Sequence, residues 1–311
     1  MAQIAMIIPY FGKFPVWMDL YLYSCSTNPI VDFHFYTDCE IPQKIYSNTI
    51  FHKISFSDYC VLASRRLQIN FMPADPYKLT DLKPFYGCIH KKELSDYAFW
   101  GYSDIDLVYS DICSFLTPEL LHRFDFITTQ NDRPAGHFSI VRYDSKYTEY
   151  GYKISEWKQC IESQTHYSMD EDLFGYKLNP LMYTFNEFYF HIFRHLPIDE
   201  KKLYERFQRL SQPFHKRVLM AECSSTPTPQ SEDIWVYDTQ THKIECPKNQ
   251  KMNHSLWGRF FYLHFLFFKR NRYKDVANYW GNDFYQIPCG FDFEHSNAKI
   301  EISNQFIRLR K

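Results

Sequence analysis

The chain has 311 residues, of which 45% are apolar and 19% aromatic, and 35 basic side chains nearly balance 36 acidic ones. So large an apolar fraction can form a sizeable core and excludes general disorder. A net charge of −1 excludes nucleic-acid binding driven by overall charge. The charge is uneven, because residues 251–311 carry ten basic and five acidic side chains, a difference of +5. This last fifth could therefore face a phosphate group or a membrane surface.

Strands alternate with helices in the first half of the chain. The apolar pattern predicts strands over residues 4–8, 33–36, 49–54, 97–102, 126–129 and 138–142. Helices are predicted over residues 16–24, 56–70, 78–92 and 145–163, and Pro84 perturbs the third of them. This alternation predicts an α/β fold with a mostly parallel sheet and helices on both faces.

The pattern is looser after about residue 180, which is a candidate boundary. An amphipathic helix is predicted over residues 198–210, a loop over 224–231, and a hairpin of strands 234–238 and 243–246 around residues 239–242. We therefore expect one main domain over residues 1–180 and an irregular C-terminal subdomain over residues 181–311 that packs on it and is not independent.

The chain shows neither a membrane span nor a signal peptide. The longest strongly apolar run near the C-terminus has nine residues, less than half of a span, and the N-terminus lacks a basic segment and a cleavage site. Nine scattered cysteines without a C-x-x-C pair favour reduced thiols over a disulfide framework or a zinc site. We expect a cytoplasmic protein, at most peripheral to a membrane.

Glycine is scarce, with nine residues that are never closer than nine positions apart. Neither G-x-G-x-x-G nor G-x-x-x-x-G-K-[ST] can be written in this sequence. The phosphates of a bound nucleotide would therefore need cationic side chains or a metal ion instead of a glycine-rich loop.

Asp104 and Asp106 follow the aromatic strand 97–102 directly after its end. In an open α/β sheet, ligands bind beyond the carboxyl ends of the strands. Two carboxylates at that place can hold Mg²⁺ or Mn²⁺, whose remaining positions go to water and diphosphate oxygens. The alternative is an ordinary polar turn, but the missing phosphate loop favours the metal site.

Several segments in order resemble GT-A glycosyltransferases. YKLTDLKPFYG at residues 77–87, followed by FWGYSDIDLVYSDI at 99–112, resembles the core of the family 8 and family 32 type. The chain looks closer still to an uncharacterised family from bacterial polysaccharide loci. That resemblance rests on IIPYFGKFPVW, DFHFYTD, GHFSIVR, a later Asp-Glu pair and YLHF followed by KR. It implies a GT-A-like, Rossmann-like fold in which residues 1–180 bind the donor and residues 181–311 lie on the acceptor side.

The resemblance also implies an activity. We expect a metal-dependent glycosyltransferase that uses Mn²⁺ or Mg²⁺ and moves a sugar from a nucleotide-sugar, with a UDP-sugar favoured. The expected acceptor is a bacterial surface glycan, free or lipid-linked, and retention is slightly favoured over inversion. A non-catalytic glycan-binding protein on the same fold and a nucleotidyltransferase are the alternatives, but the latter normally has a glycine-rich or strongly basic triphosphate loop. No nucleic acid is expected, and the basic C-terminal region could contact a membrane.

Carried over by position, the resemblance assigns the candidate site residues. The metal ligands are Asp104, Asp106 and His264, with His254 as the alternative to His264. The residues around the donor are Pro9, Tyr10, Phe11, Asp38, Lys78, Asp81, Gly136, His137 and Lys269. The catalytic candidates are Asp170, which is favoured, and Glu171. Family 32 has an arginine three positions after the aspartate, whereas this chain has Pro84 preceded by Lys83, so the cation that acts there stays open.

Most of these assignments have a structural alternative. Lys78 and Asp81 could be a surface ion pair at i, i+3, and His137 could be a structural histidine. Asp170 and Glu171 could lie in the first turn of a helix, where the helix dipole stabilises acidic side chains. The segment around His264 and Lys269 could be a buried aromatic strand with snorkelling cations.

Overall fold

The computed structural model describes residues 3–130, 133–178, 217–221, 224–225, 233–245, 260–265 and 284–310. The predicted helix 198–210, most of the predicted loop 224–231, His254 and Lys269 lie outside these described residues.

The strands come first in chain order. They are β1 (Ile4–Pro9), β2 (Val31–Thr37), β3 (Thr49–Lys53), β4 (Phe99–Ser103), β5 (Leu107–Tyr109), β6 (Phe126–Thr128), β7 (Phe138–Arg142), β8 (Val218–Met220), β9 (Ser224–Ser225), β10 (Trp235–Asp238), β11 (Lys243–Glu245), β12 (Tyr262–His264), β13 (Lys299–Ile302) and β14 (Ile307–Leu309).

The helices are short. The α-helices are α1 (Met18–Ser26), α2 (Phe56–Leu67), α3 (Tyr86–Ile89), α4 (Pro118–Arg123), α5 (Trp157–Glu162) and α6 (Phe174–Leu178). Within the described ranges, three 3-10 helices lie at Pro76–Phe85, Ile112–Ser114 and Lys146–Lys153, and a π-helix lies at Met169–Leu173. No helix in the described parts of the chain is long and apolar enough to cross a membrane.

The central sheet has the order β3-β2-β1-β4-β7-β6-β8 among the described residues. Of the strands in the described residues, only β7 runs antiparallel to its neighbours in this sheet, as its pairings with β4 and β6 show. Alternate residues of β1 pack into different cores, with Ile4, Met6 and Ile8 on one face and Ala5 and Ile7 on the other. The predicted α/β class with a mostly parallel sheet, covered on both faces, is confirmed.

The region after residue 180 contributes strands to several sheets. Strand β8 lies at the edge of the central sheet, and β12 pairs with β5 and β9 in a second sheet. Strands β11-β10-β13-β14 form a third sheet, whose pairings are all antiparallel. The predicted hairpin is confirmed, because β10 and β11 pair around residues 239–242.

Two of the predicted helices differ in kind from the expectation. The segment predicted as the helix 78–92 is a 3-10 helix, Pro76–Phe85, followed by α3. Pro84 explains this difference, because a proline inside a helix removes a hydrogen bond and crowds the preceding turn. The predicted helix 145–163 is divided into the 3-10 helix Lys146–Lys153 and α5, and Glu156 between them has a φ of 56°. The first helix ends at Lys153, followed by the extended backbone of Ile154, and the left-handed Glu156 directly precedes α5.

Candidate active site

Asp104 and Asp106 lie in the turn between β4 and β5, at the carboxyl end of the central strands. The turn is held from two sides. The amide of Asp104 donates to the carbonyl of His137 at 3.3 Å, and the indole Nε1 of Trp17 donates to the carbonyl of Ile105 at 2.9 Å. Asp106 is buried, whereas the Asp104 side chain is 35% exposed. One carboxylate thus faces inward and the other reaches the surface.

The third predicted metal ligand, His264, reaches the same turn through strand pairing. In the antiparallel pair of β12 and β5, His264 lies opposite Leu107, and the amide of Phe265 donates to the carbonyl of Asp106 at 3.1 Å. The imidazole Nε2 of His264 is 3.7 Å from Oδ1 of Asp106. One ligand atom from each of Asp104, Asp106 and His264 lies within 4.8 Å of the others. Two carboxylate oxygens and an imidazole nitrogen fit Mn²⁺ or Mg²⁺ with positions left for ligand oxygens.

Lys83 is a candidate for the cation that the sequence left open, and it lies beside Asp104. Its Nζ donates to Oδ1 of Asp104 at 2.8 Å and to the carbonyl of Gly136 at 2.8 Å, and it lies 3.3 Å from Oδ2 of Asp170. Burial alone would lower the pKa of Lys83, but the carboxylates of Asp104 and Asp170 raise it well above its usual value. The side chain is therefore a fixed positive charge between the predicted metal ligands and the predicted catalytic carboxylates.

Asp170 and Glu171 lie in the π-helix Met169–Leu173, and Asp170 pairs with Lys83. Oε1 of Glu171 accepts from the amide of Gly136 at 3.1 Å. Burial raises the pKa of Asp170, an effect that Lys83 opposes, and burial and Asp170 together raise the pKa of Glu171. The two acidic side chains therefore belong to the same cluster as Asp104. The structural alternative, in which a helix dipole alone stabilises them, does not require such contacts.

Gly136 leaves the space in which these carboxylates lie. A Cβ atom at this position would be 2.6 Å from Oδ2 of Asp170 and 2.8 Å from Oε1 of Glu171, closer than real Cβ contacts. The need for glycine here thus comes from the predicted catalytic carboxylates, while its predicted contact with the donor stays a prediction.

His137, the residue after Gly136, packs against the third metal ligand. Its ring stacks on that of His264, with centroids 4.2 Å apart and planes inclined by 21°. Burial and the neighbouring His264 hold the pKa of His137 well below its usual value, so the ring is neutral. His137 thus forms a wall of the candidate metal site.

The predicted nucleoside-binding residues lie at the ends of β1 and β2, which run parallel to β4 and therefore end at the same edge of the sheet. Pro9 is the last residue of β1, and the ring of Tyr10 stacks on Phe14 at 5.5 Å. Phe11 is buried, and the exposed Asp38 accepts at Oδ1 from the amide of Gly12 at 2.7 Å. Their contact with a nucleoside stays a prediction.

Lys78 and Asp81 form an ion pair at 2.7 Å, but the pair is buried and not a surface pair as the structural alternative assumed. Of the basic residues near the C-terminus, Arg308 and Arg310 both pair with Glu301, at 2.9 and 3.7 Å. Lys269 lies outside the described residues, so its predicted contact with the diphosphate stays a prediction.

A family model described as "Family of unknown function (DUF6625)" matches residues 6–293. The chain belongs to the DUF6625 family. The match includes every candidate site residue, from Pro9 to Lys269.

No curated protein matches the chain significantly. Among solved structures, this DUF6625 chain is similar to the crystal structure of the galactosyltransferase LgtC in complex with donor and acceptor sugar analogues. The identity is 14%, the match covers 69% of this chain and 84% of that chain, and the TM-score is 0.31.

Proposed function

We propose that this protein is a metal-dependent glycosyltransferase that moves a sugar from a nucleotide-sugar, in the first place a UDP-sugar, to a glycan acceptor. The observation that carries the proposal is the convergence of Asp104, Asp106 and His264 with Lys83 and Asp170 at the carboxyl edge of the sheet. Enzymes that release a diphosphate need positive charge where the leaving group develops its negative charge. At this edge, three candidate ligands of a divalent cation lie beside the charge of Lys83, which supports the proposal.

The donor side consists of the metal ligands and Lys83. A divalent cation held by Asp104, Asp106 and His264 would act as a Lewis acid toward the diphosphate oxygens. Lys83 keeps its positive charge because two carboxylates face it. Its partner Asp104 is partly exposed, so a phosphate oxygen can approach this charge from solvent. In a chain without a glycine-rich loop, these groups neutralise the diphosphate.

The acceptor side consists of Asp170 and Glu171. Transfer breaks the bond between the sugar C1 and the diphosphate oxygen and forms a bond from C1 to an acceptor oxygen, which loses its proton. A carboxylate near C1 can orient the acceptor hydroxyl, take its proton or stabilise positive charge on the sugar ring. The placement of Asp170 beside Lys83 supports this role, and retention is the outcome we slightly favour.

The acceptor that we propose is a bacterial surface glycan, free or lipid-linked, and the enzyme would act in the cytoplasm. A lipid-linked acceptor would bring the protein to the inner face of the membrane. The excess of basic residues over 251–311 supports such a peripheral contact.

The proposal is tested with a panel of nucleotide-sugars in the presence of Mn²⁺, scored by release of the nucleotide, with a chelator as the control. We expect release of UDP from one or a few donors, and its loss when the metal is removed. A glycan-binding protein would bind glycans without either UDP or Mn²⁺, and a nucleotidyltransferase would release pyrophosphate from a nucleoside triphosphate. Either result would contradict the proposal.

A further inference from the structure

The ion pair of Lys78 and Asp81 has a place in the fold that differs from a donor contact. Nζ of Lys78 donates to Oδ2 of Asp81 at 2.7 Å, to the carbonyl of Cys160 at 2.7 Å and to the carbonyl of Thr165. An ammonium group has three N–H donors, and all three are used here. Lys78 is 3% exposed and Asp81 is 0% exposed, so neither side chain reaches a ligand at the surface.

The carboxylate of Asp81 also binds the backbone of the segment that leads to the π-helix. It accepts from the amides of Tyr167 and Met169, each at 3.0 Å. Nε2 of His166 lies 3.6 Å from the same carboxylate. The buried pair therefore contacts the chain at several points between residues 160 and 169, and the last of these is the residue before Asp170.

The 3-10 helix explains why one element holds both parts of the site. With three residues per turn, side chains at i and i+3 eclipse, which brings Lys78 directly over Asp81. Lys83, five positions after Lys78, lies on a different side of the same helix, where it contacts Asp104 and Asp170. The helix Pro76–Phe85 thus contacts Asp170 through Lys83 and fixes the backbone before Asp170 through Asp81.

We propose that Lys78 and Asp81 are positioning residues that hold residues 165–169 and, through them, set the place of the Asp170 carboxylate. This inference rests on the proposed function for the consequence on turnover, but the positioning itself does not depend on it. The motif resemblance implies that Lys78 and Asp81 contact the donor. The role proposed here is different, because the pair would act on the backbone before Asp170.

The test uses the double variant Lys78→Met/Asp81→Asn, which removes both charges and leaves no unpaired buried charge that would unfold the protein. Hydrogen exchange is followed by mass spectrometry in the full chain without ligand. We expect exchange over residues 165–169 to rise at least about tenfold, because the asparagine keeps one of the two acceptor oxygens and the methionine makes no bond to the carbonyls of Cys160 and Thr165. The control Ile300→Val, in the core of β13, lowers the melting temperature without this local change.

A second measurement separates positioning from donor binding. In the double variant we expect turnover to fall about 100-fold, because a small displacement of a catalytic group has a large effect on rate. The affinity for UDP in the presence of Mn²⁺ should stay within about twofold, since no donor contact is lost. Unchanged exchange over residues 165–169 would overturn the inference. A tenfold loss of UDP affinity would also overturn it, because the pair would then act on the donor. If the wild type neither binds UDP nor transfers sugar, the proposed function fails, and the exchange result alone decides the positioning role.

Discussion

The two ends of the helix Pro76–Phe85 each bury a lysine, but in different surroundings. At one end, Lys78 binds a fully buried carboxylate and two backbone carbonyls. At the other end, Lys83 binds a backbone carbonyl and lies between two carboxylates, of which Asp104 is 35% exposed. Both charges are compensated, yet only the second has a partner that solvent, and therefore a ligand, can reach.

The difference shows that a buried charge can either hold the neighbouring chain in place or stand ready to bind a ligand. Loss of one partner from a buried pair leaves an uncompensated charge, so the pair of Lys78 and Asp81 holds its neighbouring chain firmly. A buried cation beside a partly exposed carboxylate can instead exchange partners when a phosphate or a metal ion arrives. The account therefore predicts different effects from substitutions at the two ends.

The largest effect is expected at the metal ligands beside Lys83. Asp106→Ala should lower turnover by at least about 1000-fold, because Lewis-acid stabilisation of a leaving group contributes several kcal/mol. The melting temperature should change little, since the carboxylates of Asp104 and Asp106 repel each other without a metal. Steady-state assays at saturating Mn²⁺ measure this, with the exposed Asp96→Ala as the control. More than a tenth of wild-type activity in Asp106→Ala would refute the metal assignment.

Substitution of Lys83 itself sharpens the comparison. Lys83→Met should lower turnover about 100-fold, as expected when one charged group facing the transition state is removed. It should also weaken UDP binding, which the double variant at Lys78 and Asp81 should not do. Lys83→Arg restores the charge and should recover part of both losses. Titration calorimetry with UDP and Mn²⁺ gives the affinities, and equal UDP affinities for the two variants would remove the distinction between the two ends.

A smaller effect is expected from crowding the carboxylates that face Lys83. Gly136→Ala should lower turnover between about 10- and 100-fold, because the new methyl group must displace Asp170 or Glu171 by a large part of an ångström. UDP affinity should be nearly unchanged. Gly175→Ala adds the same group 3.1 Å from Cδ of Pro134 and serves as the matched control. If Gly136→Ala and Gly175→Ala lower kcat by the same factor, the space that Gly136 leaves for the two carboxylates does not affect catalysis.

The smallest effect is expected in a third buried polar region, and it concerns the stability of the protein and not its rate of turnover. The rings of His34 and His52, on β2 and β3, share a hydrogen bond of 3.0 Å, and the second nitrogen of His34 bonds the hydroxyl of Tyr97 at 3.1 Å. Burial and the neighbouring His52 lower the pKa of His34 to about 4. Here burial keeps the His34 ring neutral, whereas Lys83 keeps its charge because the carboxylates of Asp104 and Asp170 outweigh its burial.

The sign of the pH effect follows from the lowered pKa. A free histidine titrates near pH 6.5, so between about pH 6.5 and 4 the unfolded chain binds a proton at His34 that the folded chain does not. As the pH is lowered through this range, the free energy of unfolding should fall by about 1.4 kcal/mol per pH unit from this group alone. His34→Gln should remove that share of the slope in urea unfolding between pH 7 and 5, and the exposed His122→Gln should not. Equal slopes for wild type and His34→Gln would contradict the assignment.

The sequence predicted most strands of the central sheet, and it predicted Asp104 and Asp106 as metal ligands, because both predictions follow from local patterns. Continuous apolar runs identified β1 and β4, and two carboxylates after the aromatic run 97–102 identified Asp104 and Asp106. Their meeting with His264 depends on the pairing of β5 with β12, two three-residue strands from distant parts of the chain. The motif resemblance pointed to His264, but the residues alone do not give that register.

The contacts of Lys83 and the buried state of Lys78 could not be predicted from the sequence, for a different reason. In an α-helix and in a 3-10 helix alike, the two lysines, five positions apart, lie on different sides, so their spacing does not tell which one meets the carboxylates. Only Pro84 signals the change of helix type. Burial of Lys78 and Asp81 depends on residues 160–169, whose irregular backbone has no simple periodicity. Such contacts between distant segments are set by the tertiary fold and not by local propensity.

The most direct test of the account is calorimetric titration of UDP into the wild-type protein with and without Mn²⁺, repeated with Asp106→Ala. If the edge formed by Asp104, Asp106, His264 and Lys83 is a metal-dependent donor site, UDP binds measurably only when Mn²⁺ is present, and Asp106→Ala abolishes this binding. Binding of UDP with equal affinity in the presence of a chelator, or no binding of UDP under either condition, would contradict the central claim.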